Sequence, residues 1–213
     1  MENYQEQYNQ ELHQQEIRSN LQTLKGFFWI FATVLVIWVL TLLRIFIVDA
    51  GIFTMAVGIS AVIGIPIVYI YKKVDLSKQW VKYVFLTLIC MISAIFATFL
   101  SFHAVLIYVL PLLLAVQYRQ KRSLWITYFV NDITMTISML AGFYHGICDL
   151  NLLLGSNHTR SWYLEQWSAG ALQFDLEPDP VFVILFYGAL PRAVILLVFT
   201  LILRYISISG HTD

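Results

Sequence analysis

Apolar residues in this chain come in long unbroken runs parted by short polar breaks, and strand-type alternation is absent. A helix crossing the hydrocarbon core of a bilayer needs about 20 predominantly apolar residues. Six runs meet or approach that length: 27–48, 52–71, 80–100, 103–118, 124–148 and 181–206. In lipid every backbone polar group must be satisfied within its own element, and without alternation these runs read as helices rather than barrel strands. The pattern predicts an all-α, polytopic membrane protein of six transmembrane helices. The fourth run is the shortest and follows "LSFH" so closely that a tight hairpin with the third is expected. Prolines 66, 111 and 191 lie inside runs, where the missing N–H predicts kinks.

Ahead of these runs lies a polar, Gln-rich segment, 1–25, which lacks the short basic region and apolar core of a signal peptide and is expected to stay on the mature protein. Leu12, Ile17, Leu21 and Leu24 recur in it at helical intervals, which reads either as an amphipathic lead-in helix or as a polar tail. The organisation expected is a polar segment 1–25, a membrane domain 26–206 with an outer loop 149–180, and a stub 207–213.

Charge sets the orientation. Lys and Arg are retained on the cytoplasmic side of short connections. Arg18 and Lys25 precede the first run, Lys72, Lys73, Lys78 and Lys82 lie between the second and third, Arg119, Lys121 and Arg122 between the fourth and fifth, and Arg204 ends the sixth. All fall on one side of a six-span path, so both termini are expected in the cytoplasm and the chain in the cell membrane. The loop 149–180 carries three aspartates, two glutamates and a single arginine, Arg160. Its Trp162, Tyr163, Trp167 and Phe174 suit a short helix in the headgroup region, ended by "EPDPV" at the start of the sixth span. Asn157-His158-Thr159 fits a glycosylation acceptor, a pattern that matters only in a eukaryotic secretory pathway.

Composition agrees with lipid as solvent: 59% of residues are hydrophobic and 12% charged, with a mean hydropathy of +0.72, where a soluble domain carries roughly a quarter charged residues. Thirteen basic and thirteen acidic side chains cancel, so no overall field recruits nucleic acid. Cys90 and Cys148 form no CxxC or His/Cys spacing, and neither metal nor other cofactor is expected. Phosphate-cradling glycine loops, HExxH and GxSxG are missing, which argues against an enzyme.

Two sets of polar residues interrupt the apolar runs. "FVNDIT" places Asn131 and Asp132 in the fifth, and "YGALPRAVILLV" places Arg192 in the sixth. At 1.5 Å of rise per residue, Asp132 lies about 12 Å and Arg192 about 16 Å from the cytoplasmic boundary. A lone charge at that depth costs something like 2.5–3.5 kcal/mol, so an Asp132–Arg192 ion pair is expected, with Asn131 adding an interhelical hydrogen bond. Such a pair serves either to tie the two helices together or as the centre of a polar pocket or hinge. The second set, Arg44, His103, His145 and Asp149, falls near the outer span ends and, with Trp162 and Trp167, forms a candidate ligand mouth. For either histidine the plainer reading is a hydrogen-bonded interface residue, and for Arg44 a side chain that reaches to headgroups or pairs with Asp49.

Residues 99–153, "FLSFHAVLIYVLPLLLAVQYRQKRSLWITYFVNDITMTISMLAGFYHGICDLNLL", with residues 190–213, "LPRAVILLVFTLILRYISISGHTD", resemble the six-span N-terminal membrane input region of certain Gram-positive bacterial signalling proteins. In those proteins the region often precedes a diguanylate cyclase domain of the GGDEF type, of which this chain has no motif. The resemblance implies a sensor that relays an outer-leaflet or extracellular signal through its sixth helix to a cytoplasmic output domain or partner, and by analogy a homodimer. Size, span number and an outer loop fit equally the substrate-binding subunit of a small-solute, vitamin-type importer. A ligand-free membrane scaffold is the third reading.

Overall fold

The computed structural model describes residues 2–45, 50–100, 106–144 and 179–209, and among these it is helical throughout, joined by short turns and without strands. The elements in order are α1 (Glu2–Leu42), α2 (Ala50–Lys73), α3 (Gln79–Leu100), α4 (Leu110–Val116) and α5 (Lys121–Tyr144). The last span, α6, consists of Pro180–Val183, a π-helical turn Ile184–Ala189 and Leu190–Ser209 in continuous succession. Five helices are long and apolar enough to cross a membrane. Of the fourth expected span, the described part is an apolar helix, Leu106–Val116, about 16 Å by helical rise against a hydrocarbon core of about 30 Å.

The helices turn an apolar face outward. Phe129, Ile133 and Ile137 on α5, and Val194, Val198, Leu201 and Tyr205 on α6, are exposed, an extent of apolar surface that water would not leave uncovered. Inside are small and hydroxyl residues beside the aromatics: Ser60, Ser93, Thr127, Ala56 and Ala97 are buried together with Phe53 and Phe96, whose rings sit 6.0 Å apart. Lipid tails are as apolar as any core, so helices associate through close van der Waals contact and hydrogen bonds, which favours small and hydroxyl side chains. Exposed aromatics mark two belts, Tyr69, Tyr71, Trp80 and Tyr205 at one end, Tyr144 and Tyr187 at the other, as expected where spans meet the headgroups. This is the fold of a multi-pass membrane protein.

In the arrangement, α3 is central and contacts α1, α2, α4 and α5, while α6 lies against α4 and α5. The bonds Thr127 Oγ1 to Ser123 O and Ser138 Oγ to Ala94 O satisfy polar groups on the α3–α5 face. Ser138 also pairs with Thr98.

Several boundaries differ from expectation for identifiable reasons. α1 is unbroken from Glu2 to Leu42, so the polar segment is a continuation of the first span rather than a separate lead-in. It ends at Leu42, before the expected 48, because Arg44 adopts φ 57° and closes the helix: Arg44 N–H donates to Thr41 O and Ile45 N–H to Leu40 O, the two bonds of a Schellman cap. Pro111 sits in the first turn of α4, where its missing N–H leaves nothing unsatisfied, so it starts a helix instead of kinking one. Pro66 is inside α2. Before Pro191, α6 widens to the π-turn, in which Leu190 N–H reaches Leu185 O, a register that accommodates a residue without a donor.

Candidate functional site

The basic side chains counted for orientation converge at one end of the bundle, around an inward-facing polar junction. Its centre is Lys82, in the first turn of α3 and 1% exposed. The ammonium lies 2.6 Å from Glu16 Oε1 of α1 and donates to Gln120 Oε1 of the α4–α5 connection at 2.8 Å. Gln120 Nε2 closes the triangle on Glu16 Oε1 at 3.1 Å. One turn further along α1, fully buried Asn20 donates to Leu76 O at 2.7 Å and accepts from the Tyr118 hydroxyl at 2.8 Å. Ser19 Oγ bonds Gln117 O. Thus α1 is fastened to the α2–α3 turn, to α3 and to the α4–α5 connection by side chains whose partners lie 56 to 104 residues away in sequence.

Local structure explains the placement. In the α2–α3 turn, Asp75 Oδ1 accepts from Ser77 N–H at 2.9 Å; that bond holds its carboxyl below the usual carboxylate range and fixes the entry into α3. Arg119 adopts φ 51°, strained for a residue with a Cβ, and this turns the connection so that Tyr118 points in and Arg119 out. Burial pushes the Tyr118 phenol above its ordinary value, so it stays a donor. Beside the junction opens a pocket of about 640 Å³ lined by His13, Glu16, Asp75, Lys78 and Gln120 among others. Gln120 also borders a smaller cleft of about 230 Å³ that reaches Arg204 at the end of α6. Glu16 Oε2 and Gln117 Oε1 are buried without a hydrogen-bond partner. No cluster of three metal-ligating side chains occurs among the described residues.

The intramembrane polar residues are arranged otherwise than expected. Asn131 is fully buried and donates to Tyr108 O at 2.7 Å, which ties α5 to the segment leading into α4 rather than to α6. Arg192 Nη1 lies 3.2 Å from Gly188 O in the π-turn and 3.4 Å from Met139 Sδ of α5. Asp132 Oδ1 is buried with no hydrogen-bond partner. Among the described residues the ion pair within 4.0 Å is Lys82–Glu16, and Asp132–Arg192 is not one. Arg204 near the end of α6 lines one cleft with Lys121 and Leu124 at the start of α5, whereas Arg192, earlier in α6, meets Met139 further along α5, so the two helices run in opposite directions. Side chains on a helix lean toward its N-terminus, so on antiparallel neighbours they lean apart. Arg192 accordingly reaches the height of Met139, seven residues and about 10 Å along α5 from Asp132. Asp132→Leu and Arg192→Leu are therefore expected to change unfolding free energy additively to within about 0.5 kcal/mol. A coupling above 1 kcal/mol in a double-mutant cycle, read by equilibrium unfolding in detergent, would restore a direct pair.

Of the candidate outer mouth, Arg44 is exposed and acts as the cap of α1. His103, His145, Asp149, Trp162 and Trp167 lie outside the described residues, as does Cys148, while Cys90 is free and buried. Counting charge assigns every basic residue there to topology and so passes over the junction around Lys82. The available clue was register: Lys82 stands in line with Leu86, Ile89 and Ser93, on the face of α3 that is buried.

No family model, curated protein or solved structure matches the chain.

Proposed function

We propose that the basic end of the bundle faces the cytoplasm and that the chain is a membrane input module, relaying a change at the outer ends of its spans to a cytoplasmic output domain or partner. The observation that carries this reading is α1: 41 residues of continuous helix, about 60 Å by rise and so twice the hydrocarbon thickness. Its polar half extends beyond the spans and is gripped by the Lys82–Glu16–Gln120 junction. A stiff lever held at its base transmits a displacement that a flexible tail would dissipate. The π-turn of α6 supplies an element able to shift, since such turns recur at functional positions in helices, and Gln120 lies between the end of α6 and the lever. A signal acts on this arrangement only through different affinities for two helix arrangements. The likeness of residues 99–153 and 190–213 to bacterial input regions accords with it.

The test places a cysteine at His13, on the lever, and measures its labelling by a membrane-impermeant maleimide in proteoliposomes. Arg192→Met, which releases the guanidinium from the π-turn, is expected to change the labelling rate at least threefold. An unchanged rate, in a protein that remains folded, would sink the relay. Accumulation of a labelled solute in the same vesicles would favour the importer reading instead.

A further inference from the structure

Away from the junction, α1 and α2 part to leave an outward-facing apolar groove of about 460 Å³. Its floor is Phe27, buried and stacked on Phe31 with ring centroids 6.1 Å apart. Phe27 lies against α2 because residue 64 is glycine: a Cβ there would stand 3.2 Å from Phe27 Cζ. Ala61 is at one end of the groove, and Lys72 and Lys73 are at the other, in the last turn of α2. Both lysines are exposed, and among the described residues neither has a carboxylate within 4.0 Å.

Length and charge identify the occupant. From Ala61 to Lys72 the helix rises about 16 Å, close to half of the roughly 30 Å hydrocarbon core. The groove therefore spans one leaflet, apolar where acyl chains lie and doubly cationic at the headgroup level. Basic pockets at the ends of spans are favourable sites for anionic headgroups. We infer that this groove is a specific site for one anionic phospholipid of the leaflet at the basic end, its acyl chain on Phe27 and Phe31 and its phosphate at Lys72 and Lys73. The site rests on the membrane reading of the chain and is independent of the relay, whose test has a different readout.

The experiment is native mass spectrometry of the full chain in mild detergent with equimolar phosphatidylglycerol and phosphatidylcholine of identical acyl chains. Wild type is expected to retain phosphatidylglycerol on the order of tenfold over phosphatidylcholine, from two lysines at the headgroup. K72Q/K73Q should lose that preference with unchanged circular dichroism and melting, since both side chains are exposed. K121Q/R122Q, at the same end but away from the groove, should keep it. Ala61→Trp, filling the groove from its exposed edge, should lower retention of both lipids. Equal retention of the two lipids by wild type, an unaltered preference in K72Q/K73Q, an equal loss in K121Q/R122Q, or a lipid-free dimer covering this face would each overturn the site.

Discussion

Lys82→Met is expected to lower the unfolding free energy by about 3–5 kcal/mol, the range for removing one partner of a buried ion pair. The cost arises from what remains: the Glu16 carboxyl, on a side chain 12% exposed, would be left with only the Gln120 amide beside it. The second carboxylate oxygen of Glu16 already lacks a partner, so nothing nearby compensates. The double replacement Glu16→Leu with Lys82→Met should recover most of the loss, because apolar pairs of similar volume often match or exceed a buried ion pair. Equilibrium unfolding of the full chain in detergent, followed by tryptophan fluorescence, measures both. A loss below 1 kcal/mol for Lys82→Met would show that water reaches the pair and that α1 is not held there.

Asn20→Leu should cost about 2–4 kcal/mol. Leucine has similar volume but leaves Leu76 O and the Tyr118 hydroxyl without the bonds now made to Asn20, and each buried polar group so stranded costs about 1–3 kcal/mol. Tyr118→Phe removes one of those stranded groups, so combined with Asn20→Leu it should be milder than Asn20→Leu alone. Burial raises the Tyr118 phenol in the folded state. Its contribution is therefore complete below the ordinary phenol range and lost only as pH rises beyond it. If Asn20→Leu unfolds no more readily than wild type, the α1 lever is not fastened at this point.

These two residues also show how far the chain could be read directly. The runs that became α2, α3, α5 and α6 were legible within a few residues at most ends, because a bilayer demands length and apolarity of each span separately. The end of α1 was not, since it depends on Arg44 taking a left-handed conformation that local sequence disfavours for a side chain with a Cβ. The candidate ion pair failed on direction: depth along the membrane can be counted from span ends, but side-chain lean on antiparallel helices cannot be seen in a count. Lys82 was visible as a positive charge near a boundary, yet its burial depends on Glu16 and Gln120, 66 and 38 residues away.

By itself, then, the sequence determined the solvent, the helical class and which ends of the spans are basic, since each follows from the hydropathy and charge of a single contiguous segment. Only the tertiary structure decided that the polar N-terminal half is a fastened continuation of α1, that Asn131 and Arg192 serve different neighbours, and that Lys82 is the hub of the basic end. Those outcomes hinge on which faces meet across helices distant in sequence, and hydrogen-bond partners in a bundle are chosen by that meeting rather than by any local pattern.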